Sequence, residues 1–168
     1  MSFRGKQQEA CPVGTAFRTS AGREKLKDAF DTVIHTTPPF YKYDDDPERK
    51  LMQCYTSALR LAFHDDDVSY GQNNAPSSRR VAVPLLGSGA RGFTSTAAID
   101  VASVACIQWL MDEGEDYQDA GSNEASAATT IEQTIAFGLL ESKLADQLWE
   151  KLRRQYNYCS RNSDSDTR

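Results

Sequence analysis

A glycine-rich segment, PLLGSGARGF at residues 84–93, is the part of the sequence best suited to chemistry. Gly87, Gly89 and Gly92 have the spacing GxGxxG, between an apolar run and a stretch with helical periodicity. Glycines at such a position let backbone amides approach an anion, and the dipole of the following helix attracts negative charge. The segment therefore predicts a phosphate-binding loop, although a tight turn without a ligand has the same spacing.

Two common nucleotide-binding loops agree poorly with this segment. A kinase-type phosphate loop needs a lysine before its final Ser or Thr, and here Phe93 precedes Thr94. The fingerprint of dinucleotide-binding domains needs an acidic residue about 20 positions further on, at the end of a strand. Asp112 lies about that far from the glycines, but it is at the end of a predicted helix and not of a strand. A nicotinamide-dependent oxidoreductase is therefore the least favoured interpretation. The remaining interpretation of the segment is the diphosphate-binding loop of another nucleotide-binding fold.

Strands and helices alternate around the loop. Apolar and β-branched runs predict strands at 32–36, 81–86 and 131–140, and weak alternation predicts a short strand at 14–19. Helical spacing predicts a helix from Pro47 to Phe63 and two more after the loop and after the last strand. The inward stripe of the first of these two helices is Ala98, Val101, Ala102, Ala105 and Trp109. The second is marked by Leu144, Leu148 and Leu152, with Ala145 and Trp149. This order predicts an α/β domain with a mainly parallel sheet.

Composition limits the classes of function. The 168 residues are 39% hydrophobic and 26% charged, as in one globular domain. A formal net charge of −5 argues against unspecific nucleic-acid binding, which needs a basic surface. Because no apolar run reaches membrane-spanning length and residues 1–10 lack a signal-peptide core, we expect a cytoplasmic or nuclear protein that does not bind membranes. The four cysteines are interpreted as buried, reduced thiols rather than a zinc site.

The other polar groups predict little chemistry. His35 lies in a predicted buried strand and is interpreted as a core histidine rather than a general base. Residues 64–67 (HDDD) are interpreted as a solvated charge run rather than a metal site, and residues 41–46 as the edge of a mobile loop. We therefore predict no metal and no cofactor, and the catalytic residues stay unassigned.

Five blocks of the sequence together resemble the macrodomain family, whose modules bind ADP-ribose or hydrolyse ADP-ribosyl linkages. The blocks are CPVGTAFRTSAG, VIHTTPPFY, LMQCYTSALRLA, VAVPLLGSGARGFTSTAAIDVA and TIAFGLLESKLADQL. The resemblance implies a three-layer fold, with a mixed, mainly parallel sheet between helices, and makes the glycine segment the second of the family's two phosphate loops. It assigns backbone amides to the diphosphate at Gly87, Ser88, Gly89, Ala90 and Arg91, and the ribose side to Gly92 and Phe93.

The chain departs from the family pattern at two contact positions. Leu139 or Leu140 falls where the family often stacks an aromatic residue on adenine, so we expect adenine binding weaker by about 0.5 to 1.5 kcal/mol. Arg91 stands where many relatives carry an aromatic residue beside the ribose. Its cation can pair with a phosphate oxygen or remain a solvated surface charge.

The opening elements of the family have no counterpart in this sequence. These are a first strand with a GDI-like aspartate, a second strand ending in an NAAN-like segment, and a first glycine-rich loop. By the family's topology, the second strand would lie between the strands at 32–36 and 81–86. We therefore expect a domain without its first strands, best explained by a truncated gene model, with residues 1–10 as a tail, 11–155 as a partial macrodomain and 156–168 as a disordered tail.

The resemblance implies recognition of ADP-ribose or an ADP-ribosylated protein, by a module derived from an ADP-ribosyl hydrolase. If the chain is an enzyme, the implied activity is ADP-ribosyl hydrolysis, but the asparagine and first loop that organise substrate and water in that branch are not found. The alternative is a degenerate, non-catalytic remnant that acts as an interaction or structural piece. The oligomeric state is not predicted.

Overall fold

The structure, a computed structural model, describes residues 11–22, 25–63, 78–116 and 132–163. In these ranges the chain forms four strands and four helices that alternate along the sequence. They are β1 (Ala16–Ser20), α1 (Lys25–Ala29), β2 (Thr32–Thr36), α2 (Pro47–Phe63), β3 (Ser78–Pro84), α3 (Ser95–Asp116), β4 (Glu132–Gly138) and α4 (Ser142–Ser163). The alternation confirms the α/β class, and the bounds of β2 and α2 are those predicted.

The strands form two separate pairs. β1 and β2 are antiparallel, with Ala16 opposite Thr36. β3 and β4 are parallel, with Pro84 opposite Gly138, so both carboxyl ends lie at the same edge. Among the described residues no ladder joins β2 to β3, and each of these two strands therefore keeps an unpaired edge.

The main core lies between α2, α3 and α4. Leu51 and Tyr55 of α2 pack with Ala98 and Ala102 of α3, and Leu148 of α4 closes the cluster. All five positions of the predicted α3 stripe are buried, because their mostly small side chains let neighbouring elements approach closely. No helix in the described ranges is long and apolar enough to cross a membrane.

Two burial predictions are wrong. Residues of β2 are exposed or half-buried, since one edge of the strand is unpaired. All four cysteines were expected to be buried, but Cys11 and Cys159 are half-buried, unlike Cys54 and Cys106. In α4, Leu144, Leu148 and Leu152 form the row that faces the core, and Trp149, one residue on from Leu148, is 68% exposed.

Several predicted boundaries also need correction. β3 ends at Pro84 rather than at residue 86, because the backbone turns after it into the glycine segment. β4 spans Glu132–Gly138 rather than 131–140. α4 continues to Ser163, so residues 156–163 of the predicted disordered tail are helical, while residues 1–10 and 164–168 lie outside the described ranges.

Candidate functional site

The glycine segment forms a loop, residues 85–93, that links the carboxyl end of β3 to the first turn of α3. Gly87, Gly89 and Gly92 have φ angles of 81°, 90° and 81°, the left-handed region that only glycine enters without strain. The Gly92 amide donates to the Gly89 carbonyl at 2.9 Å, and the Phe93 amide donates to the Gly87 carbonyl at 3.3 Å. The three glycines therefore fold the loop back on itself.

The underside of this loop rests on the core. Phe93 is buried, and a Cβ at Gly87 would meet both its ring and the side chain of Leu51. The Leu86 amide donates to the Tyr55 hydroxyl at 2.9 Å, which ties the start of the loop to α2. The Phe93 side chain thus supports the loop from within the core. Of the contacts with ribose predicted for Phe93, only those from its backbone agree with this position.

The outer side of the loop presents backbone donors. Ser88, Gly89 and Ala90 are exposed, and within the described part of the chain the amides of Ser88, Ala90 and Arg91 donate no hydrogen bond. α3 begins directly after the loop, with the Thr94 hydroxyl accepting from the Ala97 amide at 3.1 Å. Thr94 therefore caps the helix. Exposed amides beside the positive end of a 22-residue helix can hold an anion.

A second loop, residues 40–46, packs against the glycine loop. The Tyr41 amide donates to the Arg91 carbonyl at 2.9 Å, and the rings of Tyr41 and Phe93 lie 4.9 Å apart. The Arg91 guanidinium lies 4.3 Å from the centre of the Phe40 ring, a cation–π contact. Arg91 is therefore half-buried and held in place, and it forms no ion pair with an acidic side chain of the described residues.

Asp44 fixes the shape of this second loop. Its carboxylate accepts from the Phe40 amide at 2.7 Å and from the Lys50 ammonium at 3.1 Å. Both bonds lower the pKa of Asp44 below its usual range, and the bond from the Phe40 amide has the larger effect. Asp44 and the Tyr41–Arg91 bond attach this segment to α2 and to the glycine loop, while the mobility of residues 41–46 stays a prediction. The sequence has an aromatic cluster here, FYKY at residues 40–43, but nothing in it indicates Arg91 as the partner.

Two leucines follow β4 at the same edge. Because Gly138 is paired with Pro84, the next residues of both strands leave the sheet side by side. Leu139 is half-buried and packs on the core, whereas Leu140 is fully exposed. Of the two leucines predicted to lie against adenine, Leu140 is thus the one whose side chain is available.

The remaining candidate groups do not join this site as acids or bases. His35 is exposed rather than buried in the core, which corrects the prediction; its ring stacks on Phe17 at 4.8 Å, and its Nε2 lies 2.9 Å from the Thr19 hydroxyl. Residues 64–67 lie outside the described ranges. Among the described residues no group of His, Cys, Asp and Glu side chains is arranged to hold a metal ion.

One thiol, Cys54, and one phenol, Tyr55, lie side by side in α2, but both are buried. Burial raises the pKa of Cys54, whose thiol donates to the Thr37 carbonyl at 3.3 Å. Burial also raises the pKa of Tyr55. Both groups therefore stay protonated near neutral pH, and neither is an activated nucleophile.

Known proteins are similar to this chain in sequence and in fold. The profile of the Macro domain family matches residues 2–102. An O-acetyl-ADP-ribose deacetylase of Citrobacter koseri is 33% identical over 98 residues, which cover 58% of this chain and 47% of that protein. The chain thus spans about half the length of the curated relatives it matches.

Two solved structures illustrate the similarity of fold. The macro domain of ganglioside induced differentiation associated protein 2 is 25% identical, with a TM-score of 0.53 over 82% of this chain and 56% of the other. A macrodomain of Oceanobacillus iheyensis with MES bound is 20% identical, with a TM-score of 0.57 over 88% of this chain and 61% of the other. Since the family profile covers more than half of its residues, the chain belongs to the Macro domain family.

Proposed function

We propose that this chain binds ADP-ribose, free or attached to a protein, and that the loop at 85–93 holds its diphosphate. The observation that carries the proposal is the set of backbone amides at Ser88, Ala90 and Arg91 that donate to no described group, held by left-handed glycines at the start of α3. Family membership and the similarity to an O-acetyl-ADP-ribose deacetylase support the choice of ligand. A pyrophosphate supplies the paired negative oxygens that such amides bind.

The two ends of the ligand have candidate contacts on either side of the loop. We place adenine against the exposed side chain of Leu140, which offers apolar area but no π face. Arg91, already ordered by Phe40, pairs with a phosphate oxygen at a smaller entropic cost than a mobile side chain would pay. The proposal is limited to binding, because Cys54 and Tyr55 are both protonated and the loop itself contributes backbone donors.

The test is calorimetric titration of the 168-residue protein with ADP-ribose, using two glutamate variants. Gly89→Glu places a carboxylate where the diphosphate would lie, and we expect binding to weaken at least about a hundredfold through charge repulsion. Gly22→Glu is the matched control, because Gly22 has a similar φ of 83° and, like Gly89, no neighbouring atom within 4 Å of an added Cβ. Gly22→Glu is expected to bind like the parent.

Two results would overturn this proposal. One is the absence of binding heat in a parent protein that circular dichroism shows to be folded, which would favour a non-catalytic interaction piece. The other is equal affinity of the two glutamate variants, which would place the ligand away from the loop.

A further inference from the structure

The second loop, residues 40–46, lies on the opposite side of the glycine loop from Leu140. β2, which leads into the second loop, lines two cavities together with β3, and no described residue of β4 lines either of them. β4 is paired with the other edge of β3 and leads into Leu140. The glycine loop, which follows β3, is thus flanked by Leu140 on one side and by the second loop on the other.

This order decides which end of the ligand meets the second loop. In the proposed function, on which this inference rests, adenine lies against Leu140 and the diphosphate on the amides of residues 88–91. ADP-ribose is an elongated molecule, so its distal ribose then lies beyond the diphosphate, on the side of the second loop. A modified protein is attached through the anomeric carbon of this ribose. The polypeptide that carries the ligand therefore leaves the site beside residues 40–46.

The second loop exposes three aromatic side chains at this point. Phe40, Tyr41 and Tyr43 are 43%, 42% and 79% exposed. The rings of Phe40 and Tyr43 meet edge to face, with their centres 6.2 Å apart. The amides of Tyr43 and Asp44 donate to the Phe40 carbonyl at 3.3 and 3.0 Å and close the turn that carries the rings. Exposed aromatic residues on a bonded turn suit a protein partner, because they bury much apolar area at a small cost in conformational entropy.

The three rings are continuous with the proposed nucleotide site. Arg91, which the proposed function pairs with a phosphate oxygen, lies 4.3 Å from the centre of the Phe40 ring. The ring of Tyr41 lies 4.9 Å from that of Phe93 at the end of the glycine loop. A polypeptide tethered to the bound ligand therefore reaches these rings within a few residues of its point of attachment.

Lys42 adds a positive charge to this surface. Its Nζ lies 5.9 Å from the centre of the Tyr43 ring, and it forms no ion pair with a described residue. Two of the three carboxylates of the loop, Asp44 and Asp46, are paired with basic residues of α2 at 3.1 and 2.7 Å, which leaves only Asp45 unpaired among the described groups. Lys42 is thus available to a carboxylate of the partner.

We propose that the rings of Phe40, Tyr41 and Tyr43, with Lys42, form the docking surface for the polypeptide that carries ADP-ribose, and that this surface selects modified residues flanked by apolar and acidic side chains. The rings bury apolar side chains next to the point of attachment, and Lys42 pairs with a carboxylate beside them. Recognition then has two parts, since the glycine loop holds the nucleotide and the second loop contacts the sequence around the modified residue.

The first test compares ligands on the parent protein of 168 residues. Two fluorescent peptides carry ADP-ribose on a central glutamine, through an N-glycosidic linkage that is stable in water. One peptide has leucine and glutamate on both sides of the glutamine, and the other has glycine and lysine at the same positions. In fluorescence anisotropy, with free ADP-ribose as the competitor, we expect the leucine–glutamate peptide to bind about tenfold more tightly than free ADP-ribose. The glycine–lysine peptide should bind no more tightly than free ADP-ribose.

The second test separates the docking surface from the nucleotide site. Tyr43→Ala removes the most exposed ring, and Lys42→Glu reverses the charge beside it. Each should weaken binding of the leucine–glutamate peptide by about fivefold or more and change the affinity for free ADP-ribose by less than about twofold. Tyr158→Ala and Lys27→Glu are the matched controls, because Tyr158 is 66% exposed on α4 and Lys27 is exposed on α1. Both controls should bind the peptide like the parent.

Equal affinity of the parent for both peptides and for free ADP-ribose would overturn the docking surface and leave the proposed function standing. The docking surface is also overturned if the leucine–glutamate peptide keeps its advantage in folded Tyr43→Ala and Lys42→Glu, since the partner would then dock elsewhere. A folded parent that binds neither ADP-ribose nor either peptide would overturn the proposed function and the docking surface together. If Tyr43→Ala does not fold, Lys42→Glu and the two peptides on the parent decide.

Discussion

Gly87 and Gly89 allow a direct test of how the phosphate loop is anchored. Both have left-handed φ angles, 81° and 90°, but their surroundings differ. A Cβ added to Gly87 would lie 3.0 Å from Cδ2 of Phe93 and 3.2 Å from Cδ2 of Leu51, whereas one added to Gly89 would meet no described atom within 4 Å. Alanine at the two positions therefore carries the same backbone strain but a different packing cost.

The magnitudes follow from these distances. A left-handed alanine costs about 1 to 2 kcal/mol, of which about 0.4 to 1 kcal/mol is offset by the lower entropy of the unfolded chain. Gly89→Ala should thus lower the free energy of unfolding by about 1 kcal/mol. Gly87→Ala adds overpacking of about 1 to 3 kcal/mol, because Phe93 is 4% exposed and Leu51 0%, which leaves neither side chain free to move.

Equilibrium urea unfolding, followed by tryptophan fluorescence, measures both changes. Gly22→Ala, with a φ of 83° and no atom within 4 Å of its added Cβ, reports the strain alone at a distant turn. A difference of less than about 0.5 kcal/mol between Gly87→Ala and Gly89→Ala, the usual range of an uninvolved surface substitution, would refute the packing cost at Gly87. The loop would then lift from Phe93 at no measurable cost.

Two further predictions concern titratable groups. Because the pKa of Asp44 is lowered in the folded state, its charge stabilises the fold above the carboxyl's ordinary pKa and loses that effect as pH falls through the lowered value. Parent protein should therefore resist urea better than Asp44→Asn at pH 7, with the difference shrinking below about pH 3.9; a difference independent of pH would contradict this. Burial raises the pKa of Cys106 to about 12 and also raises that of Cys54, while Cys11 and Cys159 are half-buried. Ellman's reagent at pH 8 should thus modify Cys11 and Cys159 quickly, and should modify all four cysteines only after unfolding in guanidinium. Rapid modification of four thiols in the folded protein would refute the burial of Cys54 and Cys106.

Local chemistry made much of this fold predictable. Pro47 can start a helix because its missing N–H is not needed there, and the apolar spacing that follows sets the buried face of α2. The small-residue stripe of α3 and the Thr94 cap are likewise properties of neighbouring residues. The glycine spacing predicted the loop for the same reason, since left-handed backbone depends on the residue that adopts it.

Features that depend on distant pairing were not predictable in this way. The β-branched run of β2 indicates a strand but does not say which strands lie beside it, so its exposure was missed. The docking of Tyr41 on Arg91 joins residues 50 positions apart and has no local signature. Nor does spacing distinguish Leu139 from Leu140, because only the register of β4 decides which side chain turns inward.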